Sequence, residues 1–556
     1  MPRRLSEEAV ADLDIDALVD ALSASPQGRR LAERLLTHLP VDPEVSRYRQ
    51  ESYRYLRERP AVRRSLAAVI PRLRELTIFS RSQEGAESPF LGAVWRIGEL
   101  DLYVECLDGL HAAFEEAPPG EEHRAMQGLR DLVAERRNGA AVEALRREIP
   151  PIKAGLRRRR SVTIGVNLDD RLRPVEAKLV SVHDRPFSET GLLTGFLRSI
   201  RGSGDERPVS TPLHRTPTAG DAAGYSTKMP LSPLFQDLES IMRSTSRRLL
   251  SKIDRFLGVE TRVLQSLPDE LELFIAATEL AERLEAAGLP TAVPTLEEIG
   301  ARSLQAGEVY NLALALRRLK AGTGGNGADH DGTKGSAEPG EEPVVPNDIA
   351  ISGGTLGAVI TGPNRGGKTT YLQAVGQSQV MAQAGLFVPA REARVSPVDY
   401  LATHFPHREQ SASELGRFGE EVARLSGIFD RISPESLILL NESFASTNPT
   451  EAMTFGEEVL KALGEAGARV LVATHLLDMA RRAPGLGPFT ALTAEVEAGA
   501  EGARRTFRIV PGMPKDSSYA YDLVRRAGMT YEQLSERLRQ RGVLSGNGVG
   551  DGVQEQ

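Results

Sequence analysis

Eight consecutive residues, Gly362-Pro363-Asn364-Arg365-Gly366-Gly367-Lys368-Thr369, carry the densest chemistry in this 556-residue chain. They fit the Gly-x-x-x-x-Gly-Lys-Thr spacing of a phosphate-binding loop. Such a loop turns successive backbone N–H groups and a helix N-terminus toward a polyphosphate, and glycine lets the backbone come close. Lys368 is then placed to reach the β- and γ-phosphates of ATP, and the Thr369 hydroxyl to ligate Mg²⁺. Thr370 completes the candidate nucleotide-binding set. Arg365, inside the loop, has two readings: a phosphate contact or a solvent-facing side chain.

Hydrolysis needs a second element, a carboxylate near the γ-phosphate that orients a water. "SLILLNES" offers it: an apolar run at 437–440, then Asn441 and Glu442. Glu442 is the candidate general base and, with Thr369 and Asn441, a candidate for the metal site; a solvated acid just past a strand is the plain alternative. Asn441 stands where an aspartate is usual, beside the hydrated metal. A neutral carbonyl oxygen attracts Mg²⁺ and its waters less than a carboxylate does, so slow turnover with retained ATP binding is expected. His475 ends the run "RVLVATH", at the carboxyl end of a strand, where ligands bind in open α/β sheets. It senses the γ-phosphate, positions the water, or simply ends the strand.

The elements that must hold these residues are legible around them. An apolar strand at 356–361 runs into the loop and the helical pattern "KTTYLQAVGQSQVMAQAG" runs out of it. "SLILL", "EAMTFGEEVLKALGEAG" and "RVLVAT" continue as strand, helix and strand. That alternation predicts a mostly parallel sheet covered on both faces. Residues 1–150 read as mainly helical, with Leu102, Val104, Leu107, Leu110 and Phe114 on one buried stripe. A β-like character follows, with Val162, Ile164 and Val166 alternating with Thr163 and Gly165, and Leu179 and Val180 in a second run.

The expected organisation is a helical core at 1–150 and a β-containing, clamp-like or connector insertion with a flexible loop at 151–230. A helical return at 231–319, a flexible linker at 320–342, the ATPase domain at 343–542 and a disordered tail at 543–556 follow. Lys plus Arg is 69 and Asp plus Glu 76, a formal net charge of −7. This balance disfavours whole-surface nucleic-acid binding and leaves room for a local basic groove. The single cysteine, Cys106, excludes an intrachain disulfide and a thiolate metal cluster. No run has signal-peptide or membrane-span character, so a cytoplasmic protein without membrane contact is expected.

Read together, these segments resemble the MutS family of DNA mismatch repair ATPases. "ITGPNRGGKTTYLQAVGQSQVMAQAGLFVPA" is similar to the family's nucleotide-binding segment nearly throughout, and "VVPNDIAI" resembles the segment flanking the adenine. "SLILLNES" stands where the family has its strand followed by Asp-Glu, "ATH" at 473–475 matches, and "RIVPGMPKDSSYAYDLVRRAGM" resembles the closing strand, loop and helix. The resemblance covers 343–542. It implies an ABC-type α/β P-loop domain, similar to MutS domain V, behind a mainly α-helical core and lever with a small β-containing insertion. "ELELFIAATELAERL" at 270–284 resembles the helix returning along the lever. The resemblance also implies ATP and Mg²⁺ as cofactors and a homodimer joined through its ATPase domains.

Departures shape the expected function. No mismatch-reading domain with a Phe-x-Glu wedge and no Smr domain is recognised. "SFASTNP" at 443–449 replaces the family's Gly-Arg-Gly run, and Gly416 takes a serine's place beside the retained Phe418 and Glu421, with Ser411 and Ser413 nearby. The first expectation is a DNA-binding ATPase of DNA repair or recombination in which ATP controls how two subunits clasp DNA. Arg157 to Arg160 and the stripe Arg243, Arg247, Arg248, Lys252 and Arg255 are its candidate phosphate contacts, or else solvated faces. The alternative is a nucleotide-gated interaction protein acting on a protein or ribonucleoprotein.

Overall fold

The computed structural model describes residues 3–541 apart from 24, 85–88, 158–160, 169, 171–173, 184–206, 209–213, 216–255, 257, 324–343, 407–415, 444–445, 500–501 and 514–526. The chain divides into two compact units, Met1–Arg54 with Ala276–Gln556, and Tyr55–Ile275. Residues 1–54, read from the sequence with the helical segment to 150, thus group with the half that carries the glycine-rich loop. Of the linker expected at 320–342, residues 320–323 belong to the end of a helix, and 324–342 lie outside the described residues, as do Arg158 to Arg160, the basic stripe at 243–255, Ser411, Ser413 and the tail at 543–556.

The first unit begins with β1 (Arg3–Arg4), α1 (Glu7–Asp12), α2 (Ile15–Ala21), α3 (Pro26–Thr37), β2 (His38–Leu39) and α4 (Pro43–Glu58). Side-chain caps start two of these helices: the Ser6 hydroxyl accepts from Ala9 N–H, and that of Ser25 from Gly28 N–H ahead of Pro26.

The second unit holds α5 (Pro60–Glu84), α6 (Pro89–Glu116), α7 (Arg124–Arg137), α8 (Ala140–Arg157), β3 (Ser161–Leu168), β4 (Pro174–His183), β5 (Arg207–Pro208), β6 (His214–Arg215) and the start of α9 (Leu267–Ala286). Leu107, Leu110 and Phe114 are buried in its core, with Leu102 and Val104 packed against the edge, as their spacing predicts. The β-like runs pair as the antiparallel hairpin β3–β4, Ile164 opposite Leu179. Ile164, Val166 and Val180 are exposed on that hairpin and Leu179 is buried.

The first unit resumes with β7 (Thr295–Leu296), β8 (Leu304–Val309), α10 (Leu312–Thr323), β9 (Asn347–Ile351), β10 (Gly357–Thr361) and α11 (Lys368–Ala384). Next come β11 (Glu392–Val395), β12 (Leu401–His404), α12 (Gly416–Phe429), β13 (Leu437–Asn441), α13 (Pro449–Ala466) and β14 (Arg469–Ala473). It closes with α14 (Leu477–Leu486), β15 (Phe489–Gly499), β16 (Gly502–Pro511) and α15 (Tyr531–Gln540). A six-stranded sheet runs in the order β12-β13-β14-β10-β15-β16, beside a four-stranded one, β7-β11-β8-β9. In the larger sheet every pairing is parallel except β15–β16. Strands β10, β13 and β14 are buried at every residue, which is why they read as unbroken apolar runs and not as alternating ones.

Helix α11 is buried from Tyr371 to Ala384 with the sole exception of Gln373 among its later turns. Its glutamines survive burial because each finds backbone partners. The Gln377 amide donates to Leu13 O at 2.9 Å and its oxygen accepts from Leu312 N–H at 2.8 Å. Gln383 donates to Pro40 O and Val398 O and accepts from Val398 N–H. Residues 1–54 are thereby hydrogen-bonded onto the helix that leaves the glycine-rich loop.

Candidate nucleotide-binding site

The glycine-rich loop leaves the carboxyl end of β10, which pairs in parallel with β14 on one side and β15 on the other, and enters α11. Two glycines hold it in shapes that a side chain resists. Gly362 has φ of +129° and a Cβ there would lie 2.8 Å from the Ala494 methyl; Gly367, the N-cap of α11, has φ of +94°. Arg365 also takes a left-handed backbone, φ +58°, and its exposed side chain lines the cavity described below.

Lys368 projects from the first turn of α11 and is 5% exposed. Its ammonium donates to Gly362 O at 3.0 Å and Pro363 O at 3.3 Å and lies 3.6 Å from Glu442 Oε1. Burial lowers its pKa from the usual lysine range, with Glu442 pulling the other way. The same Glu442 oxygen lies 3.0 Å from His475 Nε2, so one carboxylate oxygen serves both partners. Glu442 holds φ of +50° just past β13, and its N–H donates to Ala473 O at 2.8 Å. That bond prolongs the β13–β14 ladder by one residue and aims the side chain toward the loop. A sharp turn shapes the His475 segment, with Leu476 N–H donating to the Thr474 hydroxyl at 3.1 Å.

Asn441 closes β13 and is 5% exposed. Its Oδ1 accepts from the Thr369 hydroxyl at 3.2 Å. The loop, Asn441, Glu442 and His475 therefore converge from three adjacent strand ends, as the order of motifs predicts. Among the described residues no group of three or more His, Cys, Asp or Glu is gathered for a metal ion. The oxygen pair Thr369–Asn441 fits a hard cation that also takes oxygens from phosphate and water.

A cavity of about 260 Å³ opens over the loop, lined by residues from Asn364 to Thr370 together with Glu442 and His475. Its far side comes from segments that carry no short motif: Tyr310, Asn311 and Leu314, Val345 and Asn347, and Phe507 of β16. Asn347 holds that wall together, donating to Phe507 O at 3.2 Å and accepting from Ile509 N–H at 2.6 Å. Phe507 takes φ of +59°. Val345 and Asn347 belong to "VVPNDIAI", the segment read as flanking the adenine. The contributions of Tyr310, Asn311 and Phe507 follow only from strand pairing and loop packing.

A loop entering a helix from a buried parallel strand, with a carboxylate and a histidine at neighbouring strand ends, defines the class of P-loop nucleotide-binding domains. Residues 358–538 match the family model of MutS domain V. The chain resembles the Endonuclease MutS2 of Geobacillus thermodenitrificans, 34% identical over 200 residues, 36% of this chain and 25% of that protein. It also resembles the Endonuclease MutS2 of Listeria monocytogenes, 32% identical over 194 residues, 35% of this chain and 24% of that protein. The DNA mismatch repair protein MutS of Aquifex pyrophilus is 29% identical over 314 residues, 54% of this chain and 34% of that protein. The chain thus carries a domain of the MutS family at residues 358–538. The chain spans about a quarter to a third of the length of these relatives.

Proposed function

We propose that this protein binds and hydrolyses ATP with Mg²⁺ and couples the nucleotide to DNA in a mismatch-repair-related process. The observation that carries the reading is the shared contact of Glu442 Oε1 with Lys368 and His475 over the glycine-rich loop. Lys368 leaves its carbonyl partners for the β- and γ-phosphates, which meet an ammonium already stripped of most of its water. Glu442 then orients the attacking water and accepts its proton at a carboxylate oxygen. His475 holds that carboxylate by donating from Nε2. Mg²⁺, when bound, neutralises phosphate charge, and Thr369 with Asn441 would hold it and its waters. Because Asn441 brings no charge, the metal is held weakly and turnover is slow.

Relatives named for mismatch repair and for an endonuclease support DNA as the partner. In the proposed cycle, two subunits meet through their ATPase domains and ATP changes how they clasp a duplex. In this reading residues 270–284 would serve as part of a lever and the hairpin β3–β4 as a clamp. A second reading, in which the nucleotide gates binding to a protein or ribonucleoprotein, is favoured by the net charge of −7.

Fluorescence anisotropy with labelled duplex, mismatched and branched DNA, with and without ATP, separates these readings. Salt-dependent binding that changes with ATP supports the DNA reading. Loss of all binding to DNA, with recovery of a stoichiometric protein partner by Glu442→Ala, supports the second.

A further inference from the structure

We propose that His404 is a positioning residue that holds the turn carrying Glu442 and ties it to helix α12. The inference rests on the reading of Glu442 as general base. His404 ends β12, opposite Leu440 in the parallel pairing with β13, and its side chain is 2% exposed. Both ring nitrogens are engaged. Nε2 lies 3.2 Å from Glu421 O on α12, and Nδ1 lies 2.8 Å from the Ser443 hydroxyl. A carbonyl oxygen only accepts, so Nε2 carries the proton; in the neutral ring Nδ1 then accepts from the Ser443 hydroxyl. One buried imidazole thus fixes the residue directly after Glu442 and a backbone carbonyl of α12.

This matters because Glu442 is held at φ of +50°. A non-glycine residue in that region persists only where its surroundings determine the conformation from both sides. On the near side the Glu442 N–H is bound to Ala473 O. On the far side the described contact is Ser443 to His404. A second bond, from Arg424 to Phe405 O at 3.1 Å, joins α12 to the residue after His404. Displacement of α12 is therefore transmitted to the Glu442 carboxylate through one ring. Nothing in the sequence marks His404, since a histidine ending a strand more often satisfies itself locally than it steers a neighbour.

The test uses the full chain and three variants. Asparagine places an amide oxygen near the position of Nδ1, and glutamine an amide N–H near that of Nε2. His404→Asn therefore keeps the Ser443 contact, whereas His404→Gln and Ser443→Ala lose it. Hydrogen–deuterium exchange at the Glu442 and Ser443 amides is expected to quicken about ten-fold or more in His404→Gln and Ser443→Ala, and much less in His404→Asn. In the same two variants kcat for ATP should fall about ten-fold while nucleotide Kd stays within about two-fold. Unchanged exchange in both, or a His404→Asn variant as impaired as His404→Gln, overturns the proposal. So does a fall in kcat that is matched by equal losses of nucleotide affinity and melting temperature. A wild-type chain without ATP turnover would refute the ATPase reading alone, because the exchange comparison still decides the role of His404.

Discussion

At the scale of single residues, Lys368 and Asn441 make opposite contributions to the site. Lys368 keeps a buried ammonium beside carbonyls and one carboxylate, a position with more value to a phosphate than to the fold. Its pKa is lowered mainly by burial. The folded state thus binds fewer protons than the unfolded one between the lowered value and about 10.4, and stability rises with pH across that window. Lys368→Met is expected to weaken ATP binding about 100-fold or more by calorimetry. Its melting temperature near neutral pH should equal or exceed that of the wild type, since the substitution removes a buried charge. A melting temperature lowered by several degrees would show that Lys368 supports the fold. For Asn441→Asp, steady-state assays should show faster turnover and a lower Mg²⁺ requirement. A carboxylate there would attract a hard cation more strongly than an amide oxygen does. The loop, Glu442 and His475 were legible in the sequence because each directly follows a buried strand. Tyr310, Asn311 and Phe507 were not, because chain segments about 200 residues apart meet only after the sheets pair.

At the scale of elements, two buried polar devices hold the sheet to its surroundings. Arg469, at the start of β14, is fully buried and donates to four carbonyls, those of Ser303, Ser396, Pro397 and Glu435, at 3.0–3.3 Å. Burial pulls its pKa down to about 10, so it stays charged at neutral pH. Arg469→Met takes a donor from each of those carbonyls, and is expected to destabilise the first unit by ~3 kcal/mol or more in urea unfolding. A change under ~1 kcal/mol would show that water or a neighbouring donor replaces the guanidinium. The strand and helix alternation behind this arrangement was legible from apolar runs; the cap of α13, where Asn448 accepts from Thr450 and Glu451 N–H, was not read from them. The burial of α11 was not. Gln373, Gln377, Gln379 and Gln383 recur at spacings that suggest a wet face. The partners of Gln373, Gln377 and Gln383 on residues 12–13 and 40 come from a segment more than 300 positions away.

At the scale of the whole molecule, the chain is two units with separate cores, and each offers its own probe. In the second unit Cys106, on α6, is buried in the core, and burial pushes its thiol up to about 12. A disulfide reagent is expected to label the native protein only as fast as that unit opens. Immediate stoichiometric labelling at neutral pH would contradict this packing. In the first unit, non-hydrolysable ATP is expected to tighten a dimer, with mass photometry showing a doubled mass; monomers with and without nucleotide would contradict that part of the proposal. Among the described residues no helix is long and apolar enough to cross a membrane. The MutS domain V was legible as such because its motifs occur in a fixed order over about 200 residues. The remainder was legible only as helix and hairpin, because packing faces carry little chemistry of their own. The most direct test of the proposed chemistry is single-turnover ATP hydrolysis by the wild type and Glu442→Gln, with nucleotide affinity measured in parallel. The expected result is equal ATP affinity and a rate lowered about 100-fold or more; equal rates in the two proteins, or no ATP binding by the wild type, would contradict it.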